Sequence, residues 1–133
     1  MSASLNNILA LAREMEAALG LEAVVSKPEQ LLTYESDALR NYRQVPALVV
    51  LPRTTGDVQV AVRLCRRYGV PIVARGSGTG LSGGALPVQG GVVLVLSRMR
   101  DVLEIDLANA RVRVQAGVLN LQVTQHVAKD GFY

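Results

Sequence analysis

Residues 75–87 have the sequence Arg75-Gly76-Ser77-Gly78-Thr79-Gly80-Leu81-Ser82-Gly83-Gly84-Ala85-Leu86-Pro87, in which five of the nine positions from 76 to 84 are glycine. Glycine loses more backbone freedom on folding than any other residue, so this density is favoured where the chain turns sharply or where another group approaches the backbone closely. Successive N–H groups in such a turn form a concave surface that binds anionic oxygens, and neighbouring hydroxyls add donors. The stretch therefore predicts a loop that binds a diphosphate.

Strand-like sequences flank this loop on both sides. Val70–Ala74 precedes it and Val92–Leu96 follows it, and both are apolar and predict buried strands, whereas residues 76–91 contain no charged residue. Sheets in α/β proteins bind ligands at the carboxyl ends of their strands, which is where this loop begins. A flexible glycine-rich connection without a ligand is the alternative.

The sequence upstream predicts a strand–helix–strand unit over residues 47–74. Ala47–Leu51 is an apolar strand candidate, closed by Pro52, which has no N–H to donate to a ladder. The spacing of Thr54 and Asp57 resembles a capping box and predicts the start of a helix. Such a unit is normally parallel and right-handed.

The two ends of the chain have simpler patterns. Residues 4–19 predict an amphipathic helix with Ser4 as N-cap and Gly20 at its end, and residues 21–44 predict short turns and surface loop. Val102–Asp106 and Arg111–Gln115 predict an antiparallel hairpin with one solvent-exposed face. A helix is predicted over Leu121–Lys129. The fold class is therefore α+β.

Composition excludes several functions. The net charge is +3, but the twelve Arg and two Lys are scattered among eleven acids, and with five aromatic residues and no Trp we expect no nucleic-acid partner. The single cysteine, Cys65, excludes an intramolecular disulfide, makes a thiolate zinc site unexpected and favours a cytoplasmic location. We expect no metal site, no secretory signal and no transmembrane segment, because no apolar run approaches roughly 18 residues.

Two common phosphate motifs fit the loop poorly. Gly78–Gly83 matches G-x-G-x-x-G, and Glu104 follows at a suitable distance for a ribose contact, but that fingerprint should open a helix, whereas this segment leads into a strand. A Walker loop requires Lys followed by Ser or Thr after the glycines, and none is present. The predicted diphosphate site therefore has another architecture.

The sequence resembles the FAD-binding domain of the vanillyl-alcohol-oxidase type, also called the PCMH type. The resemblance covers about Val45 to the end of the chain and depends on three strings: residues 51–58 (LPRTTGDV), 71–85 (PIVARGSGTGLSGGA) and 114–118 (VQAGV). Within this family the chain is most similar to the group of the glycolate oxidase D subunit and the FAD-linked D-lactate and D-2-hydroxyglutarate dehydrogenases. It implies a lead-in over residues 1–44 and an FAD-binding domain over residues 45–133.

The resemblance also implies which residues bind FAD. Residues 76–80 would contact the pyrophosphate through backbone amides, Pro52 would end a strand lining the cofactor cleft, and Gly117 would lie near the adenosine. Many relatives attach the flavin to a histidine of this loop, and since Thr79 stands at that position we expect non-covalent FAD. The expected cofactor-binding set is Pro52, Arg75, Gly76, Ser77, Gly78, Thr79, Gly80, Leu81, Ser82, Gly83 and Gly117.

The implied activity is oxidation of a 2-hydroxy acid, of the glycolate or D-lactate type, with a hydride passed to the flavin. Relatives run to several hundred residues, so the resemblance implies that this chain is an N-terminal piece, truncated before the substrate domain and inactive by itself. No residue qualifies as the substrate base, and Arg75 is a candidate only for charge stabilisation near the phosphates. Partner subunits or a separate electron acceptor are implied, with a possible peripheral attachment to the inner membrane through those subunits. The alternatives are a peptidoglycan-precursor reductase of the same fold, which uses NADPH, and a non-catalytic nucleotide-binding or assembly module.

Overall fold

The computed structural model describes residues 5–39 and 41–133, which form a mixed α and β structure. The α-helices are α1 (Leu5–Leu19), α2 (Pro28–Leu31), α3 (Thr55–Tyr68) and α4 (Asn120–Val127). The strands are β1 (Val24–Val25), β2 (Leu48–Val50), β3 (Ile72–Arg75), β4 (Val92–Val95), β5 (Val102–Asp106) and β6 (Arg111–Val114). The predicted α+β class is confirmed, while the predicted N-cap Ser4 lies outside the described residues.

The larger sheet has the strand order β1-β2-β4-β3. Strands β2, β4 and β3 are mutually parallel, and Val93 of β4 is opposite Val49 on one side and Val73 on the other. The strand–helix–strand unit predicted over residues 47–74 is therefore parallel, but its two strands are not neighbours, because β4 lies between them. All three parallel strands end at the same edge of the sheet, which places the glycine loop there.

The central strands separate two apolar clusters. Alternate residues of β2 and β4 point to opposite faces, as the pleat of a strand requires. One face packs under α1 and α3, where the buried residues include Leu11, Met15, Leu48, Val50, Ala61, Cys65, Val92 and Leu94. The other face is smaller and contains Leu31, Val49, Leu51, Val93 and Val95. The sheet edge that carries the loop is thus fixed by a core on both faces.

The predicted start of α3 is confirmed in detail. The Thr54 hydroxyl accepts the N–H of Asp57 at 3.1 Å, and the Asp57 carboxylate accepts the N–H groups of Thr54 at 3.0 Å and Arg53 at 2.8 Å. The helix stops at Gly69, whose φ of 64° is left-handed. These contacts satisfy N–H groups that have no partner within the helix, and they fix the turn that follows β2.

Strand β3 differs from the prediction of a buried strand. Ile72 and Val73 are only partly buried and Ala74 is exposed. The reason is its place in the sheet, since β4 takes the central position with all four residues buried and leaves β3 at the edge with a single neighbour. An apolar pattern shows that a strand can be buried, not that it lies in the middle of a sheet.

The segment from 21 to 44, predicted to be only turns and surface loop, also contains regular structure. Val24 and Val25 form β1, which is antiparallel to β2 and pairs Val24 with Val50. Helix α2 then brings Leu31 into the smaller apolar cluster. The prediction was wrong here because two-residue strands and one-turn helices are too short to produce a periodic pattern.

The hairpin and last helix follow the prediction in outline. β5 and β6 are antiparallel, with Ile105 opposite Val112 and an irregularity between Val102 and Glu104. The apolar face of the hairpin was expected to be buried but is only partly buried, since Leu103 is 49% exposed and Ile105 is 38% exposed. Helix α4 ends at Val127, somewhat earlier than predicted, and continues as a short 3₁₀ turn.

Candidate cofactor site

The glycine loop, here residues 76–84, lies at the carboxyl edge of the parallel strands. It begins directly after β3 ends at Arg75. At the same edge β2 leads through Leu51 into Pro52, which is fully buried, and β4 leads into a 3₁₀ turn that begins at Leu96. A group bound against the loop would therefore meet the ends of several strands, as in other parallel sheets.

The backbone N–H groups of the glycine loop have no acceptor in the part of the chain that the structure describes. Among the residues that the structure describes, none accepts a hydrogen bond from the N–H of any residue from 76 to 84. The nearest internal bond runs from the N–H of Leu86 to the carbonyl of Gly83 at 3.2 Å. Most of the loop is solvent-exposed, including Gly76, Ser77 and Thr79. These amides are thus free to bind anionic oxygens, as predicted for a diphosphate loop.

Three of the loop glycines have no packing reason to lack a side chain. A Cβ atom built on Gly76, Gly80 or Gly84 would meet nothing within 4 Å, and none of the three has a left-handed φ. An alanine side chain at each of these positions would therefore meet no other atom of the described residues. The open space beside these residues is consistent with the close approach of an external group.

Gly78 is different, because its backbone conformation and a neighbouring side chain favour glycine there. Its φ is 74°, and an added Cβ would collide with the guanidinium of Arg75. That guanidinium donates from Nη1 to the carbonyl of Ser36 at 2.6 Å and lies 5.9 Å from the centre of the Tyr34 ring. Arg75 therefore connects the start of the loop to the segment 33–38, and its role as a phosphate contact stays a prediction.

A cavity of about 500 Å³ lies between this segment and the loop. Its lining residues come from both walls: Thr33, Glu35, Ser36, Asp37, Ala38, Arg43, Arg75, Gly78 and Thr79. The sequence analysis did not predict that residues 33–38 form one wall of this cavity, because Tyr34-Glu35-Ser36-Asp37 is polar and has the composition of a surface loop. Nothing in the local sequence indicates that Asp37 is buried.

Pro52 and Gly117 occupy different surroundings from the loop. Pro52 is buried at the sheet edge that carries the glycine loop, and it comes two residues before Thr54, the first residue of the capping box of α3. A Cβ on Gly117 would collide with the carbonyl of Leu96 and lie 2.8 Å from that of Met99, whose oxygen also accepts the Gly117 N–H. Gly117 thus allows two backbones to pack closely, and its predicted position near adenosine stays a prediction.

Two ionisable groups near the core have shifted pKa values. The N–H of Arg53 donates to the Asp57 carboxylate and holds its pKa below the ordinary value, so the carboxylate of the helix cap stays charged further into acid. Burial raises the pKa of the Cys65 thiol to about 12. Neither group lines the cavity. Within residues 5–39 and 41–133, no cluster of His, Cys, Asp or Glu could hold a metal ion.

The sequence was compared with models of known protein families. The model for the FAD binding domain matches residues 46–133, which is most of the chain and includes the whole glycine loop. This chain belongs to the FAD-binding domain family. The predicted resemblance is therefore confirmed, and FAD is the cofactor that this domain family binds.

Curated relatives of this FAD-binding domain are parts of longer proteins. Over 114 residues the chain is 46% identical to the glycolate oxidase subunit GlcD of Escherichia coli K12, covering 86% of this chain and 23% of that protein. Over 86 residues it is 36% identical to the D-lactate dehydrogenase of Anaerostipes hadrus, covering 65% of this chain and 18% of the relative. The chain thus spans less than a quarter of the length of either relative.

Solved structures share the fold. The 4-ethylphenol oxidase of Gulosibacter chungangensis superposes with a TM-score of 0.86 at 30% identity, over 97% of this chain and 26% of that one. A p-cresol methylhydroxylase superposes with a TM-score of 0.83 at 26% identity, over 98% of this chain and 26% of the other. The predicted PCMH-type fold is confirmed by both. In the part of the chain that the structure describes, no helix has the length and hydrophobicity to cross a bilayer.

Proposed function

We propose that this chain is the FAD-binding part of an oxidoreductase that oxidises a 2-hydroxy acid of the glycolate or D-lactate type. The observation that carries the proposal is the row of unpaired N–H groups from 76 to 84 at the carboxyl edge of the parallel strands. The identities to a glycolate oxidase subunit and to a D-lactate dehydrogenase support the substrate class.

The chain's own residues would bind the diphosphate of FAD through the main chain. The loop has no charged side chain, so each contact to a phosphate oxygen is an N–H or hydroxyl donor. Gly76 and Gly80 leave room for the phosphate to reach the backbone, while Ser77, Thr79 and Ser82 carry hydroxyls beside it. Leu81 and Gly83 complete the proposed contact set in the second half of the loop.

The residues present fit FAD bound without a covalent link. Thr79 has a hydroxyl where relatives with attached flavin carry histidine, and a threonine hydroxyl does not form that bond. When bound, the flavin supplies the acceptor for the hydride equivalent that leaves the hydroxyl-bearing carbon. The chain orients that cofactor, and we assign no catalytic residue to it.

The similarity to parts of longer relatives supports a proposal for the organisation of the whole protein. We propose that residues 45–133 form the FAD-binding domain, with residues 1–44 as a lead-in that packs on it, and that the substrate binds to a further domain. One relative is named as a subunit, so we also propose partner subunits or a separate electron acceptor. We place the protein in the cytoplasm, with any attachment to the inner membrane made through those partners.

The test uses the full-length protein after addition of FAD and removal of excess cofactor. A two-band flavin spectrum that travels with the protein, and reduction of that spectrum by glycolate or D-lactate, are expected. Reduction by NADPH instead would indicate the peptidoglycan-precursor reductase, and complete absence of flavin would indicate the non-catalytic module. Acid precipitation should leave all flavin in the supernatant, because flavin in the pellet would contradict a non-covalent link.

A further inference from the structure

The segment 33–38, called here the lead-in wall, contains the one side chain that is both charged and buried among the described residues. Asp37 is only 6% exposed. Its Oδ1 accepts the N–H of Leu39 at 2.8 Å, but its Oδ2 is buried and has no hydrogen-bond partner among the described residues. A buried carboxylate oxygen without a donor is costly, because water no longer solvates it and no protein group replaces the water.

Asp37 lines the cavity that the lead-in wall shares with the glycine loop. Gly78 and Thr79 form the opposite wall. The bond from Arg75 to the carbonyl of Ser36 holds the two walls together. A ligand whose diphosphate lies on the loop would therefore extend its neighbouring atoms toward Asp37.

The chemistry of the cavity favours hydroxyl groups over a further anion. Its charged side chains are two acids and two arginines, and Arg43 is paired with Glu35 at 3.1 Å. The remaining polar lining consists mainly of hydroxyls, from Thr33, Ser36 and Thr79. A hydroxyl can donate to the Asp37 carboxylate and accept from a neighbouring donor, whereas an ionised phosphate oxygen has no proton to donate to that carboxylate.

We propose that this cavity holds a hydroxyl-bearing part of FAD, its ribityl chain or its ribose, and that Asp37 accepts a hydrogen bond from it. The inference rests on the proposed binding of FAD by the glycine loop. The Oδ2 atom is covered in the free chain, so binding includes a rotation of the carboxylate about its terminal bond, a torsion that is broad for aspartate. The ligand hydroxyl then supplies the donor that Oδ2 lacks.

The experiment compares Asp37→Asn with the parent in the full-length, deflavinated protein, with Asp130→Asn as an exposed control. Asparagine keeps the acceptor for the Leu39 N–H but removes the charge. The dissociation constant of FAD, measured by quenching of flavin fluorescence, should rise about tenfold in Asp37→Asn and stay unchanged in Asp130→Asn. Asp37→Ala, which removes the acceptor altogether, should weaken binding at least as much.

Thermal midpoints of the flavin-free proteins separate a ligand contact from a structural role. If Asp37 serves the ligand, Asp37→Asn leaves the midpoint of the flavin-free protein unchanged or raises it, because an unpaired buried charge has been removed. Equal FAD affinity in Asp37→Asn and parent, or an affinity loss accompanied by a lower midpoint of the flavin-free protein, would overturn the proposal.

ADP used as a second probe identifies the source of the hydroxyl. Weakened binding of FAD alone assigns the ribityl chain, and equally weakened binding of FAD and ADP assigns the ribose on the adenosine side. Both results support the hydroxyl contact. A parent protein that binds no FAD at all would instead refute the proposed function, so the two failures are distinguishable.

Discussion

Gly78 and Gly80 lie two residues apart in the same loop, yet contacts within the chain account for glycine only at Gly78. At Gly78 the φ of 74° and the contact with the Arg75 guanidinium favour glycine for reasons internal to the fold. At Gly80 a Cβ atom would meet nothing within 4 Å, so internal packing gives no reason for glycine, and we propose that glycine leaves room for FAD there. Alanine at each position separates the two causes.

Gly78→Ala should lower the free energy of unfolding of the flavin-free protein by about 2 kcal/mol. An alanine with a left-handed φ costs roughly 1–2 kcal/mol, and the lower entropy of the unfolded chain with alanine offsets roughly 0.4–1 kcal/mol of that cost. Displacing the half-buried Arg75 guanidinium from the Ser36 carbonyl costs about 1–2 kcal/mol more. Gly80→Ala should change the same free energy by less than about 0.5 kcal/mol.

In the proposed complex with FAD, Gly80→Ala should weaken FAD binding although it leaves the stability of the flavin-free protein almost unchanged. A methyl group at Gly80 occupies space that the diphosphate needs, and overpacking of this kind costs roughly 1–3 kcal/mol, a loss of at least about fivefold in affinity. Urea unfolding of the deflavinated full-length protein gives the first quantity, and quenching of flavin fluorescence gives the second. Equal destabilisation by the two substitutions, or parental FAD affinity in Gly80→Ala, would refute this division of roles.

Three further predictions concern α3. Thr54→Ala removes the hydroxyl that accepts the Asp57 N–H and should lower the free energy of unfolding in urea by about 1 kcal/mol. Thr55→Ala changes the next residue, which is exposed, and should lower that free energy far less. Equal losses from the two substitutions would contradict the capping role of Thr54. The pKa of Asp57 is lowered below 3.8, so the stabilisation that its carboxylate gives is complete at neutral pH and is lost as the pH falls through the lowered value. The free energies of unfolding of Asp57→Asn and the parent, measured over a pH series, should therefore converge in acid. Burial raises the pKa of Cys65 to about 12, so iodoacetamide at pH 8 should label it only in denaturant, and rapid labelling of folded protein would disagree with its burial.

The elements that sequence reasoning recovered are those specified by local chemistry. The Thr54 and Asp57 side chains act on backbone groups within four residues, and Gly69 ends the same helix by its own φ, so both ends of α3 were predictable. The position of the glycine loop was predictable for a similar reason. Glycine has no side chain, so a run rich in glycine leaves the backbone N–H groups accessible.

The elements that it missed depend on residues far apart in the chain. The insertion of β4 between β2 and β3 is decided by packing of the whole sheet, and it is what leaves Ala74 exposed. The lead-in wall is joined to the start of the loop by the hydrogen bond from Arg75 to the carbonyl of Ser36, two residues that lie 39 positions apart in the chain. Patterns within a window of ten or fifteen residues do not contain this information.

Hydrogen–deuterium exchange of the full-length protein, with and without FAD, tests the glycine loop most directly. Unpaired amides exchange fast, so peptides covering residues 76–84 should exchange rapidly in the flavin-free protein and gain the largest protection of any segment from 45 to 133 when FAD binds. If FAD binds and these peptides exchange as fast as before, the diphosphate is held elsewhere and the loop amides are not its ligands.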